Sequence, residues 1–171
     1  LCAGYLVARG RNLDSKSSMM HDGSQDLKAL EVAVAWSIAC EPGDEFAGFL
    51  RETLSSELAL NLIRTNAVND LLAALNAASA LEAAHHRFGD VRSAITHAIE
   101  RYLPRLQGNS VNQALAVLEA NRGWALLPSS EQWPRGLNDL GWAAPPMLWG
   151  IGDRSTLPRL QRSVSVVGSR G

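Results

Sequence analysis

The sequence predicts an α/β chain in which a small all-helical unit precedes the first strands of a parallel sheet. Three observations carry this. Between Leu27 and Gly108 the apolar residues recur at helical spacing and are mostly Leu and Ala, which favour helix. After Gly108, helical stripes alternate with short apolar runs, the order expected when helices join parallel strands. Towards the end, Ser163-Val164-Ser165-Val166-Val167 is rich in β-branched residues and runs into Gly168-Ser169-Arg170-Gly171.

Residues 1–26 are rich in Ser, Asp, Gly and Arg, show no sustained period, and read as a disordered tail. Met19 or Met20 is a candidate natural start, and Leu1 to Ala8 is too short for a signal-peptide core. Leu27, Leu30, Val34 and Ile38 then mark a helix stopped by Pro42-Gly43. Asp44 is the expected N-cap of a short helix holding Phe46, Phe49 and Leu50. A third helix is expected over Ser56–Arg64, with Leu58, Leu62 and Ile63 inward. Val68, Leu71, Leu72, Leu75 and Leu81 form an Ala-padded stripe up to Gly89, expected to be the central element of the bundle. Val91, Ile95, Ala98, Ile99, Tyr102 and Leu103 complete a five-helix domain, 27–108, closed near Pro104 and Gly108.

The second part, 109–171, opens with a capping box of Ser110 and Gln113 ahead of Val111, Ala114, Leu115 and Leu118. Asn121-Arg122-Gly123 ends that helix, with Gly in the C′ position. Trp124 to Leu127 suits a buried strand. Ser129 and Gln132 repeat the capping-box pattern before Trp133, Leu137 and Leu140. Pro145-Pro146 introduces a second strand at Met147-Leu148-Trp149, halted by Gly150 and Gly152.

The 171 residues are 46% apolar and 19% charged with a formal net charge of -1, which excludes wholesale disorder and any global attraction to polyanions. The charge is uneven: after Asp153 come Arg154, Arg159, Arg162 and Arg170 and no acidic residue. No apolar run is long enough to span a membrane. Cys2 and Cys40 describe no disulfide framework, so a reducing, cytoplasmic setting is the simpler reading.

The end of the last expected strand is where chemistry is expected. A strand-to-helix turn in an open parallel sheet binds phosphate through free backbone N–H groups, and Gly lets the backbone approach. Gly168, Ser169 and Arg170 offer that backbone, a hydroxyl and a guanidinium fork. His85, His86 and His97 lack the i, i+4 spacing of a helical metal site, so no metal is expected. His97, Arg101 and Arg105 make one basic ridge at i, i+4 and i+8, read as a solvated face beside Glu100. Trp124, Trp133, Trp142 and Trp149 lie among Leu, Pro and Ala and read as packing residues rather than base-stacking platforms. No catalytic constellation is visible, so no enzyme and no cofactor are expected.

Trp133-Pro134-Arg135-Gly136-Leu137, then Ala144-Pro145-Pro146-Met147-Leu148-Trp149-Gly150, Leu157, and Arg162 to Arg170 occur in one order at short intervals. This order resembles the DprA (Smf) family of DNA-processing proteins over residues 109–171, and more loosely over 40–107. The resemblance implies a Rossmann-like domain behind a helical domain similar to sterile-alpha-motif or helix-hairpin-helix modules. No Gly-x-Gly hairpin stands between Leu27 and Gly108. It further implies a non-enzymatic factor that binds and protects single-stranded DNA, helps load the RecA recombinase in natural transformation, and is a homodimer when full length. Gly168, Ser169 and Arg170 match the family's phosphate- and DNA-binding turn. The family pattern runs on past the Arg, so the chain is expected to be a truncated sheet with an incomplete pocket. The alternatives are a nucleotide-hydrolysing Rossmann enzyme of the lysine-decarboxylase-like type, whose Gly-Gly-x-Gly-Thr segment is not in this chain, and a helical protein-interaction module.

Overall fold

A computed structural model describes residues 6–8, 23–108, 110–155 and 157. It is mostly helical with a small sheet. The elements are β1 (Leu6–Ala8), α1 (Gly23–Ala39), α2 (Glu45–Leu54), α3 (Ser56–Arg64), α4 (Val68–Ala77), α5 (Leu81–Phe88), α6 (Val91–Leu106), α7 (Ser110–Ala120), β2 (Gly123–Leu126), a 3₁₀ segment (Arg135–Ala143) and β3 (Leu148–Gly152). The stretch read as a tail thus supplies β1 and the first turn of α1.

The helical core forms around α1, not around α4 as the stripe at 68–81 suggests. Val34, Ala35, Trp36 and Ala39 are all fully buried. One side of α1 meets α3 and α6, and the other meets α7 and the sheet, where Ala33 and Val34 pack with Met147. Its Ala residues let neighbours close in, while Trp36 fills the main core and donates Nε1–H to Ser56 O at 2.9 Å.

Several helices end on a left-handed residue other than glycine. The stripe from Val68 to Leu81 breaks into α4 and α5 at Ser79, which has a φ of 55°. Ser79 N–H donates to Asn76 O and Ala80 N–H to Leu75 O, a Schellman turn built without glycine. Asn66, with a φ of 53°, ends α3 the same way. After α7 the left-handed position falls on Arg122, with a φ of 51°, and Gly123 already belongs to β2. In α3, Ala59, Leu60 and Ile63 turn inward while Leu58 is exposed. α6 runs past Pro104 to a buried Leu106.

Neither expected capping box forms. Ser110 is the first residue of α7 and its buried Oγ has no hydrogen-bond partner among the described residues. Ser130, not Ser129, shapes the turn after β2 by accepting from Leu127 N–H. The 3₁₀ segment then starts behind Pro134, and Trp133 donates Nε1–H to Asn138 Oδ1 at 3.0 Å.

The sheet order is β1-β3-β2. β1 runs parallel to β3, with Leu6 opposite Gly150. β2 and β3, expected in parallel, are antiparallel, with Trp124 opposite Gly150 and Leu126 opposite Leu148. The connection between them contains only a turn and 3₁₀ segment, which carries no crossover helix over the sheet. Gly150 is required by this pairing: a Cβ there would lie 2.0 Å from the Trp124 ring.

The helices and the C-terminal part share packing. Trp142 stacks edge-on against Phe49 at 5.1 Å and tilts against Phe88 at 5.9 Å. α2 holds this contact at two points one turn apart. At Gly48 a Cβ would sit 1.8 Å from Trp142 O, and Arg51 Nη2 donates to Ala144 O at 2.8 Å.

Asp44 fixes α2 itself. Its Oδ1 accepts from Ala47 N–H at 3.1 Å as an N-cap, and its Oδ2 accepts from Tyr102 Oη and Arg101 Nη2, both at 2.8 Å. Asp44→Ala is expected to lower stability by about 2–4 kcal/mol in urea unfolding, from the lost cap and an orphaned buried hydroxyl. Asp44→Asn keeps a capping oxygen and should cost less. Gly48→Ala should lower stability by about 1–3 kcal/mol through overpacking, against the roughly 1 kcal/mol that Ala adds to a helix interior. A more stable Gly48→Ala protein would contradict the close approach to Trp142.

Candidate functional site

α1 ends at Ala39, and Cys40-Glu41-Pro42-Gly43 carries the chain to Asp44 at the start of α2. Opposite this bend lies the segment from Ala144 to Trp149 that leads into β3. The two enclose a groove of about 470 Å³, with Cys40, Arg51, Arg105, Pro145, Pro146 and Trp149 on its walls. A second groove of about 630 Å³, reaching towards Lys28 and Pro128, shares Arg51 and Pro146 with it. Arg51 and Pro146 therefore stand where both openings meet.

Most charges here are paired. Arg105, on the last turn of α6, donates to Ala39 O at 3.2 Å and forms an ion pair with Glu41. Arg101 binds Asp44, whose side chain is only 7% exposed, and its guanidinium lies 5.2 Å from the Tyr102 ring centre. Burial works to lower the Arg101 pKa, but Tyr102 and Asp44 outweigh it and hold it above its usual value. Burial, reinforced by the charge and hydrogen bond of Asp44, pushes the Tyr102 phenol up. The basic ridge of His97, Arg101 and Arg105 thus commits both of its arginines to fixed intramolecular partners.

Arg51 differs. Among the described residues its hydrogen bond goes to a neutral carbonyl, Ala144 O, and its Nε is buried without a partner. Among the described residues no carboxylate pairs with it. Burial lowers its pKa from the usual value, opposed by the nearby negative charges of Glu52 and Asp44.

Cys40 is free and buried, and its Sγ donates to Trp36 O at 3.0 Å. Burial pushes its thiol up to about 11, with Arg51 and Arg105 acting the other way. A thiol held so far in its neutral form is a poor nucleophile at neutral pH.

The residues singled out from sequence fare differently. Gly168, Ser169 and Arg170, and the expected strand at 163–167, lie outside the described residues. His85 Nδ1 lies 2.9 Å from Gly89 O, a helix-end contact. Among the described residues no group of three or more His, Cys, Asp or Glu could hold a metal ion, and no helix is long and apolar enough to cross a membrane. Trp133 is buried with Leu126 and Leu157, and Trp124, Leu137 and Leu148 pack against that cluster. Sequence reasoning missed Arg51, Cys40 and Asp44 as neighbours, because α1, α2 and the Pro145-Pro146 segment meet only through the tertiary fold. Compared with protein families, with curated proteins and with solved structures, the chain matches none.

The raised Cys40 pKa has two measurable consequences. Peptide-resolved alkylation of the native protein at pH 8 should proceed about 100-fold more slowly at Cys40 than at an ordinary thiol, with unfolding restoring the normal rate. The folded state also binds this proton more tightly than the unfolded state, so its contribution to stability is present below about pH 9 and is lost as pH rises towards about 11. Rapid native labelling would contradict the burial.

Proposed function

We propose that this chain belongs to a single-stranded-DNA-binding, DNA-processing factor of the DprA (Smf) type, acting without catalysis in recombination. The observation that carries the reading is the ordered series from Trp133-Pro134 through Pro145-Pro146-Met147-Leu148 to Gly168-Ser169-Arg170. Support comes from what these residues do physically. Trp133, Leu137, Leu148 and Leu157 gather with Leu126 on one face of β2 and β3, so the motif is a packing unit that sets where β3 lies.

In this reading the sheet continues into a Rossmann-like domain. Both edges of β3 are occupied, by β1 and β2, so the Val-rich segment 163–167 would add at an outer edge. Gly168 and the following amides would bind a strand phosphate, Ser169 would donate a hydroxyl, and Arg170 would grip two phosphate oxygens. Affinity would come mainly from cations on phosphates and would fall as salt rises. RecA, a second copy of the protein and a cytoplasmic setting complete the proposal.

The test is fluorescence anisotropy of a labelled oligothymidylate with the full protein. Arg170→Ala should weaken binding by about tenfold or more and reduce the steepness of the salt dependence by about one phosphate contact. Binding unchanged by Arg170→Ala would overturn the assignment and favour a protein-interaction role for the helices. Release of free base from a nucleoside monophosphate would overturn the non-catalytic reading.

A further inference from the structure

We propose that the groove between the α1–α2 bend and the Pro145–Trp149 segment binds a phosphorylated nucleoside, with Arg51 as its anion-binding residue. The proposal uses none of Gly168, Ser169 and Arg170, so it stands or falls apart from the reading above.

Charge is the first argument. Three arginines and two carboxylates surround the bend. Glu41 is taken by Arg105 and Asp44 by Arg101 and Tyr102. Arg51 is left as a partly buried cation without an ion-pair partner among the described residues. A guanidinium carries five N–H donors; among the described residues one bond, from Nη2 to Ala144 O, is made, and Nε is enclosed without an acceptor, so the Nη groups are the donors an oxyanion in the groove would meet. A buried cation in this state is stabilised by an oxyanion that can accept from the fork.

Shape is the second. The groove volume, about 470 Å³, is within the range of small-ligand pockets and suits a mononucleotide. Pro145, Pro146 and Trp149 give it an apolar wall beside the cation, the pairing of planar surface and positive charge that nucleotides use. Glu41 and Asp44, already engaged, would not repel the phosphate as free carboxylates would.

The experiment follows the Arg side-chain Nε–H resonances of the unmodified chain during titration with thymidine monophosphate, thymidine, inorganic phosphate or acetate. Thymidine monophosphate is expected to shift the Arg51 signal saturably, and thymidine is not. Arg51→Met should weaken thymidine monophosphate binding by about tenfold or more. Trp149→Ala should weaken it several-fold while leaving inorganic phosphate binding unchanged. Because Arg51 also ties α2 to Ala144, the titration of the unmodified protein decides the matter if a variant does not fold. An Arg51 signal unmoved by millimolar thymidine monophosphate would overturn the proposal. So would acetate binding as tightly as thymidine monophosphate, which would mark a carboxylate site.

Discussion

The carboxylate of Asp44 is the contact on which the arrangement of the rest depends. It accepts from the α2 backbone at Ala47 and from Tyr102 and Arg101 on α6, so a single side chain both starts one helix and fastens it to another. With α2 placed, Phe49 and Leu50 complete the core around Trp36. Gly48 and Arg51, on the opposite side of the same helix, then receive Trp142 and Ala144. The path of Pro145-Pro146 into β3 is set by those two contacts, which links a cap in the helical part to the position of the sheet.

The same economy of donors and acceptors shapes the groove. The bend at Glu41-Pro42-Gly43 brings two carboxylates close to three arginines, and helix geometry commits Arg101 and Arg105 to them. Arg51 faces a carbonyl instead. Its burial leaves one cationic fork where the two grooves meet, with the neutral thiol of Cys40 on the wall of the first. Neither Cys40 nor Tyr102 gives up its proton readily.

Local chemistry was legible in the sequence and long-range chemistry was not. Asp44 as a cap, the stop at Pro42-Gly43 and the span Ser56–Arg64 follow from side-chain capping and periodicity, and the structure has them. The break at Ser79 was hidden because a Schellman turn can form on a non-glycine residue, so no Gly or Pro marked it. The central place of α1 was hidden too, since its run of Ala, Val and Trp is apolar on more than one face and resembles a narrow stripe. The antiparallel pairing of β2 with β3 depends on a connection without a crossover helix, and the capping-box pattern at Ser129 suggested a longer helix than the 3₁₀ segment that forms. Arg51 had no signal of its own: a lone arginine on an amphipathic helix becomes distinctive only when the fold places Ala144 and Pro146 against it.

A double-mutant cycle on Asp44→Ala and Tyr102→Phe tests the claim that one carboxylate couples α2 to α6. Urea unfolding of the two single variants, the double variant and the parent protein gives the interaction energy directly. A coupling of about 1–3 kcal/mol is predicted for a buried, charge-assisted hydrogen bond. Additive losses, with coupling indistinguishable from zero, would contradict it.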